Sequence, residues 1–354
     1  MSTPFRQRLR IVYRVGLVVV AIALALIWQQ LQTPPNSSLT QNEIERPGLV
    51  KDAIQPLPTT VVVDQAKFQL GEKLFRERQL SINGEVACIN CHKLDRGGVD
   101  GKQYSPGINR AKTRVNTPTV FNVAYNFRFN WNGQHESLIT HTDKLMQNPT
   151  VMGSKWSDVR QKLAASDEYR QAFEAIYADG VSKDTVIDAI VAYESALVTP
   201  NAPFDRYLRG DRSALSATEQ EGYSLFQAYG CVSCHQGANM GGNMFQKFGV
   251  IGDYFADRGN LQAADLGRFN VTGNEADRYV FRVPSLRNVA VTSPYLHDGT
   301  VETLTEAINI MVKYQLGRPI PAAHVDAIAQ FLKTLTGEYE GVSLQAMTNV
   351  TVDE

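Results

Sequence analysis

The chain has 354 residues, of which 43% are hydrophobic and 20% are charged, and its formal net charge is -1 at pH 7. A domain holds roughly 100–200 residues, so this length suits two domains, and the apolar fraction suffices for two modest cores. The near-zero charge gives no indication of a nucleic-acid partner. All four cysteines lie inside two Cys-x-x-Cys-His pentapeptides. This placement leaves none for a disulfide or a catalytic thiol.

Residues 1–31 are predicted to form an N-terminal membrane anchor or signal segment. Arginines from Arg6 to Arg14 precede the uncharged run Val15–Trp28, which can be extended back to Ile11 past a snorkelling Arg14. A bilayer span needs about 20 residues, and a cleaved signal peptide also has a basic start and an apolar middle. We favour an uncleaved anchor because no small-x-small cleavage site follows Trp28. Either alternative places the rest of the chain in the periplasm.

The remaining sequence is predicted to consist of a linker, two domains and a tail. Residues 32–60 contain five prolines among polar residues, which is typical of a tether. The folded body is expected to begin near residue 61. Its N-terminal domain is predicted at 61–200 and its C-terminal domain at 201–340, followed by a tail at 341–354.

Apolar residues with helical spacing predict several helices, whereas strand signals are scarce. The predicted helices are Gln65–Arg76, Val159–Tyr177, Asp184–Leu197 and a last helix that begins after Pro321 and stops by Gly337. The fold class is therefore predicted as mainly α, with long loops.

An internal repeat is indicated because both halves of the chain show the same short motifs in the same order. The matching segments are Leu74-Phe75 with Leu225-Phe226, Asn116–Ala124 with Arg282–Ala290, and Trp131-Asn132-Gly133 with His297-Asp298-Gly299. Duplication of one domain explains this order.

The two pentapeptides, 88–92 and 231–235, have the form of c-type haem attachment sites. Their two thiols bond covalently to one haem, and the histidine that follows binds its iron. A zinc or thioredoxin-like Cys-x-x-Cys is the alternative, but two copies in a duplicated helical chain favour haem. We therefore predict two cytochrome c-like haem domains, each with one covalently bound haem c. The residues expected to hold the haems are Cys88, Cys91 and His92, and Cys231, Cys234 and His235.

The ligand on the far side of each iron decides function, since an iron with two protein ligands transfers electrons whereas an open iron binds peroxide or oxygen. Met311 follows Leu304 by seven residues on a helical stretch and is a candidate ligand, although most methionines fill cores. At the matching place in the first half, Leu145 follows Leu138 and cannot bind iron. The two haems are therefore predicted to be unequal.

From about Gln65 to Gly337 the sequence resembles the bacterial dihaem cytochrome c peroxidases, whose superfamily includes the MauG-type enzymes that oxidise a partner protein. The most specific segments are Leu197–Leu208, Asp265–Phe269 and Val283–Leu316. The resemblance implies a low-potential peroxidatic haem on His92 and a high-potential haem on His235 with Met311 opposite. MauG-type members typically have tyrosine at the methionine position, which favours the peroxidase branch.

The resemblance also assigns residues outside the haem motifs. It places Trp131 between the two haems. It implies a calcium ion between the domains, and the positions that match the family's calcium ligands are Asn116, Thr292 and Pro294.

Three residues depart from the family pattern. Ile108 stands where many members have a histidine that blocks the peroxidatic iron until the other haem is reduced. His141 and Val151 stand where members have the distal glutamine and glutamate, so the usual acid–base carboxylate is absent. Peroxide cleavage needs a group that moves a proton between the two oxygens.

His141 is the candidate for this proton transfer, because a histidine has an ordinary pKa of about 6.5. Two alternatives for His141 remain open at this stage: it binds the iron itself, or it caps a helix at the surface. His135, with Glu136 as a proton partner, is a weaker candidate for the same roles.

The leading functional hypothesis is a periplasmic, membrane-tethered cytochrome c peroxidase that reduces hydrogen peroxide to water. The expected partners are hydrogen peroxide, a small cytochrome c or cupredoxin as electron donor, and the inner membrane. Oligomeric state is left open, with a homodimer as one alternative. The rival hypotheses are a MauG-type oxidase of a protein substrate and a non-enzymatic electron-transfer or sensor cytochrome.

Overall fold

The structure, a computed structural model, describes residues 53–352. The predicted anchor and most of the predicted linker lie outside these residues. Within them, no helix has both the length and the apolar character needed to cross a bilayer.

The described chain is mainly helical, with two short antiparallel strand pairs, as predicted. The helices are α1 Gln65–Phe75, α2 Cys88–Cys91, α3 Leu138–Gln147, α4 Trp156–Ala165, α5 Asp167–Ile176, α6 Lys183–Ala196, α7 Pro203–Leu208, α8 Ala217–Ala228, α9 Tyr254–Arg258, α10 Phe269–Thr272, α11 Leu304–Met311, α12 Ala322–Lys333 and α13 Leu344–Val352. The strands are β1 Phe245–Lys247, which pairs with β2 Val280–Arg282, and β3 Glu338–Tyr339, which pairs with β4 Val342–Ser343.

Helix boundaries follow side-chain caps. Asp64 accepts hydrogen bonds from two backbone N–H groups at the start of α1, and Ser182 caps α6. The single helix expected at Val159–Tyr177 is wrong, because α4 and α5 are separate helices that meet at Ser166. The Ser166 hydroxyl accepts a hydrogen bond from the Tyr169 N–H and so starts a new helix within a continuous apolar pattern.

Residues 53–57, which we call the N-terminal strap, belong to the folded body although the sequence suggested a tether there. Ile54 and Leu57 are 1% and 0% exposed. The Leu57 N–H donates to the Asp205 carboxylate at 3.1 Å. Arg287, which is fully buried, forms an ion pair with Asp205 at 2.8 Å and donates to the carbonyl of Gln55 at 3.0 Å. The body therefore begins by residue 53 rather than near residue 61.

Two helix crossings repeat the same close contact in the two halves. In α1, a Cβ added at Gly71 would lie 2.0 Å from the carbonyl oxygen of Ala189 in α6. In α8, a Cβ added at Gly222 would lie 2.0 Å from the carbonyl oxygen of Ala327 in α12. Only glycine permits this approach of two backbones. The crossings accord with the predicted internal repeat, while the domain boundary near residue 200 stays a prediction.

Two asparagines at matching positions of the repeat meet on one threonine, and we call this group the asparagine joint. Asn122 and Asn288 both have positive φ angles, 60° and 61°, and their backbone N–H groups donate to the carbonyls of Leu197 and Leu335. Their side-chain amides donate to the hydroxyl of Thr199 at 2.8 and 3.0 Å. The asparagine and threonine side chains are buried. The joint therefore connects the loop after each haem motif to the chain that follows α6 and α12.

We expect Thr199→Val to destabilise the protein, because it removes the hydroxyl that accepts both amides. The cost is about 1–3 kcal/mol for each buried donor left without a partner. Denaturant unfolding followed by circular dichroism measures it. Thr218→Val, on the exposed first turn of α8, is the matched control. Equal unfolding midpoints for the two variants would contradict the role of the joint.

Candidate haem sites and active site

The histidines of the two haem motifs are oriented in the same way. Nδ1 of His92 lies 3.1 Å from the carbonyl oxygen of Gly98, and Nδ1 of His235 lies 3.2 Å from that of Met240. A histidine that donates Nδ1–H to a carbonyl presents its Nε2 lone pair to a metal. Desolvation lowers the pKa of both rings, that of His235 to about 4, and so favours the neutral form that metal binding requires.

The cysteines of both motifs also fit covalent haem. No disulfide joins them. Cys88 and Cys91 lie on α2, which ends at His92, and Cys231 begins a 3-10 turn, Cys231–Ser233, that is followed by Cys234 and His235. Phe75 and Phe226, matched in the repeat, each stand 6.4 Å from the histidine ring of their half. The residues present therefore fit two haems c, one held by Cys88, Cys91 and His92 and the other by Cys231, Cys234 and His235.

Met311 lies at the end of α11, where the helix widens into a π-helical turn at Val312–Leu316. Such turns occur frequently at functional sites. Met311 packs against a group of buried aromatic residues that we call the aromatic cluster. Its members are Phe248, Tyr254, Phe255, Phe281 and Tyr314. The assignment of Met311 as the second ligand of the His235 haem stays a prediction.

Trp131 contacts the same aromatic cluster from a loop of the first half. Its indole N–H donates to the backbone carbonyl of Asn116 at 2.8 Å, and its own carbonyl accepts a hydrogen bond from the Arg282 N–H at 2.8 Å. Its ring stands edge-on to His297 at 6.4 Å. The backbone N–H of Asn116 donates to the His297 carbonyl at 2.9 Å. Trp131 is thus held on both sides by main-chain groups.

Beneath His297 lies a polar network that sequence analysis missed. Nε2 of His297 is 2.6 Å from Asp265, and the Arg258 guanidinium forms ion pairs with Asp265 and Asp298 at 2.5 and 2.6 Å. Burial raises the pKa of the Asp265 carboxyl, but hydrogen bonds from His297 and Arg258 outweigh it and hold the pKa below its usual range. Asp265, His297 and Asp298 have ligand atoms within 4.8 Å of one another. The guanidinium forms ion pairs with both carboxylates, so we interpret the network as the support of His297.

His141 lies in the first half of α3, with its ring stacked on Phe129 at 6.0 Å and 5.4 Å from the ring of His135. Its Nδ1 is buried and has no hydrogen-bond partner among the described residues. Ser137 caps α3, which rules out the capping alternative for His141. Burial lowers the pKa of His141 to about 3, and the neighbouring His135 and His92 add to the shift. The expectation of a pKa near the ordinary value is therefore wrong.

The other two departures from the family pattern lie next to each other. The Ile108 N–H donates to the carbonyl of Val151 at 3.0 Å, and the Ile108 side chain is buried. A Cβ added at Gly153 would lie 2.6 Å from the end of the Ile108 side chain. The loop around Ile108 is therefore packed on the turn that carries Val151.

Of the residues assigned to the calcium site, Asn116 and Thr292 make side-chain hydrogen bonds within the protein. The buried Asn116 donates from its side-chain amide to the Lys102 carbonyl at 2.9 Å and contacts the His297 backbone. Thr292 uses its hydroxyl to donate to the carbonyl of Val289. Pro294, after a cis peptide bond, belongs to the same chain segment as His297. The calcium site stays a prediction.

Comparison with known proteins gives consistent matches. Residues 65–213 match the family described as di-haem cytochrome c peroxidase. The chain is 39% identical to cytochrome c551 peroxidase of Nitrosomonas europaea, over 81% of this chain and 85% of that protein. It is also 39% identical to cytochrome c peroxidase Ccp of Escherichia coli strain K12, over 81% of this chain but 62% of that protein.

Among solved structures, that of a MauG-like protein associated with microbial copper homeostasis is similar to this one. Its TM-score is 0.70 and its sequence identity is 28%, over 83% of this chain and 95% of that chain. The shared fold, the two haem motifs and the level of sequence identity together identify the family. The chain belongs to the di-haem cytochrome c peroxidase family of oxidoreductases, which carry two haems c.

Proposed function

We propose that this protein is a periplasmic peroxidase that reduces hydrogen peroxide to water beside His92. Electrons enter from a small cytochrome c or cupredoxin through the His235 side. The observation that carries the proposal is the half-buried imidazole of His141, whose buried Nδ1 has no hydrogen-bond partner among the described residues. The resemblance aligns this residue with the family's distal glutamine. When bound, the haems supply the iron that binds peroxide and the redox centres that pass on the donor's electrons.

The chain's own part in the reaction is proton transfer and exclusion of water. Neutral His141 would accept a proton from one oxygen of the peroxide and return it to the leaving oxygen, the role that general acid–base catalysis assigns to such a group. Ile108 and Val151 are apolar, so His141 is the titratable group among these three positions. Two electrons from the donor and two protons convert one peroxide into two water molecules.

The lowered pKa of His141 sets the pH dependence. Because burial shifts it from 6.5 to about 3, the imidazole stays neutral in mildly acidic solution, and protonation of His141 should not reduce turnover there. The unfolded chain binds this proton at higher pH than the folded chain does. The folded state therefore loses stability as the pH falls from about 6.5 toward about 3.

We expect His141→Gln to reduce peroxide turnover about 100- to 10,000-fold, the usual contribution of a positioned acid–base group. Adding Val151→Glu should restore part of the activity, because it supplies a carboxylate. The assay follows peroxide consumption with a reduced small cytochrome c as donor. His135→Gln is the matched control, and its effect should be smaller because the Nε2 of His135 already has Gln134 as a hydrogen-bond partner at 2.8 Å.

Absorption and electron paramagnetic resonance spectra of the oxidised protein test the same site independently. With Ile108 in place of a blocking histidine, one haem should be high-spin without prior reduction. Two low-spin haems, with one signal altered by His141→Gln, would show that His141 binds iron and would contradict its role as proton carrier.

Met311→His should lower the midpoint potential of the His235 haem, because imidazole is a stronger donor than a thioether and favours the ferric state. Potentiometric titration followed by visible absorption measures both haems. Met311→Leu is the companion variant, and it should convert the His235 haem to high-spin. Unchanged potentials and spectra in both variants would remove Met311 from the coordination sphere.

The calcium site is proposed on the position of Asn116, which is buried beside Trp131 and His297 and stands at a family ligand position. Calcium takes oxygen ligands, including backbone carbonyls, and Thr292 and Pro294 are the other proposed contributors. Metal analysis of protein purified with calcium should find the ion, and Asn116→Ala should reduce its amount. Chelation should slow electron transfer between the haems. Protein without calcium after such a purification would disprove the site.

We further propose that the N-terminal segment anchors the protein to the inner membrane, which is supported by its arginines and the apolar run that follows. Membrane fractionation of the full chain distinguishes an uncleaved anchor from a cleaved signal peptide. The MauG-like structure supports oxidation of a partner protein as the second candidate function, and turnover with peroxide and a reduced cytochrome separates the two.

A further inference from the structure

His297 and three rings of the aromatic cluster form a continuous line of ring contacts that begins at Trp131. Starting at Trp131, ring centroids are 6.4 Å apart to His297, 5.9 Å onward to Phe255, and 5.3 Å onward to Tyr254. Tyr254 stands edge-on to Tyr314 at 5.1 Å. Each spacing is that of rings in contact. Trp131 is therefore connected to Tyr314 through packed rings.

Trp131 and Tyr314, the two ends of this line, differ in whether a base is available to accept a proton. The Trp131 indole N–H is bonded to the Asn116 backbone carbonyl, which accepts a hydrogen bond but is no base at neutral pH. An oxidised Trp131 therefore keeps its proton and remains strongly oxidising. Another side chain can then reduce the oxidised indole by donating one electron to it.

Tyr314, at the other end, has a built-in proton acceptor. Its hydroxyl donates to Oδ2 of Asp257 at 2.9 Å, and Lys313 donates to both groups at 2.8 and 2.9 Å. The Tyr314 ring is buried, whereas the side chains of Asp257 and Lys313 are 54% and 64% exposed. Hydrogen bonds to Lys313 and Tyr314 lower the pKa of Asp257, so it is an ionised carboxylate at neutral pH. A proton can therefore leave the phenol within hydrogen-bond distance.

We propose that Tyr314 is an oxidation site at the end of this aromatic line, where it discharges oxidising equivalents that peroxide leaves in the protein when no electron donor is present. One electron moves from Tyr314 to oxidised Trp131 along the line of Tyr254, Phe255 and His297, and the phenolic proton moves to Asp257. The products are a reduced Trp131, a neutral phenoxyl radical on Tyr314 and a protonated Asp257. The inference rests on the proposed reaction with peroxide.

A second tyrosine of the chain provides a matched control. The Tyr177 hydroxyl donates to Asp188 at 2.8 Å, and Lys67 forms an ion pair with the same carboxylate at 2.7 Å. Tyr177, Asp188 and Lys67 thus form the same kind of hydrogen-bonded group as Tyr314, Asp257 and Lys313. Its ring contacts Phe173 in the core of the first half and lies outside the aromatic cluster. It has the proton acceptor without the ring contacts to Trp131.

The experiment treats the haem-loaded full chain with hydrogen peroxide, without donor, in the presence of nitrosobenzene as a radical trap. Peptide mass spectrometry then locates the adduct. We expect it on Tyr314 in the wild type, absent in Tyr314→Phe, reduced several-fold in Asp257→Asn, and unchanged in Tyr177→Phe. Asp257→Asn leaves the Tyr314 ring unaltered, so this variant tests proton transfer without changing any side chain of the aromatic cluster.

The outcomes separate this inference from the proposed function. Protein that consumes peroxide but carries the adduct on other residues, or carries it equally in Asp257→Asn, overturns the role of Tyr314 and leaves the peroxidase proposal standing. Protein that consumes no peroxide, with or without a reduced donor, overturns both.

Discussion

The hydroxyl of Thr199, shared by Asn122 and Asn288, fixes how the two halves of the molecule meet. A buried amide must find a partner because its alternative is an unpaired donor, and here one oxygen serves two. Asn239, in the loop after His235, donates to the Asn122 carbonyl at 3.3 Å and to Asn126 at 2.9 Å. The loop that leads to Trp131 is therefore positioned against the second haem motif by the same set of polar groups. Networks of this kind specify one arrangement when every member is satisfied.

Two of the three departures from the family pattern, Ile108 and Val151, are packed together. Ile108 and Val151 are joined by a backbone hydrogen bond, and the Ile108 side chain fills the space above Gly153. Neither side chain carries a charge, so the proposed acid–base role is assigned to the His141 imidazole, whose pKa burial lowers. A buried, unprotonated histidine can accept a hydrogen bond as glutamine does, but it also exchanges its proton, which glutamine cannot.

Much of the fold and the haem attachment was predictable because the signals are local. The haem motifs are pentapeptides, and helices α1, α6 and α12 each show apolar spacing over about three turns. The break at Ser166 was not predictable from periodicity, since the apolar pattern continues across it while one hydroxyl ends the hydrogen bonding. The support of His297 was missed because Arg258 and Asp265 are 39 and 32 residues away in sequence, and only the folded chain brings them together. The pKa of His141 depends on burial, which no motif reports.

The N-terminal strap has a consequence for biosynthesis. It leaves the ribosome before the rest of the described body, yet its partners Asp205 and Arg287 lie 148 and 232 residues further along the chain from the groups they bind. The core that holds His235 cannot close until the chain has been made nearly to its end, and Ile54 and Leu57 stay exposed to solvent or chaperones until then. Non-local contacts of this length slow folding. This core therefore needs both the first residues of the described chain and segments more than 200 residues later before it can pack.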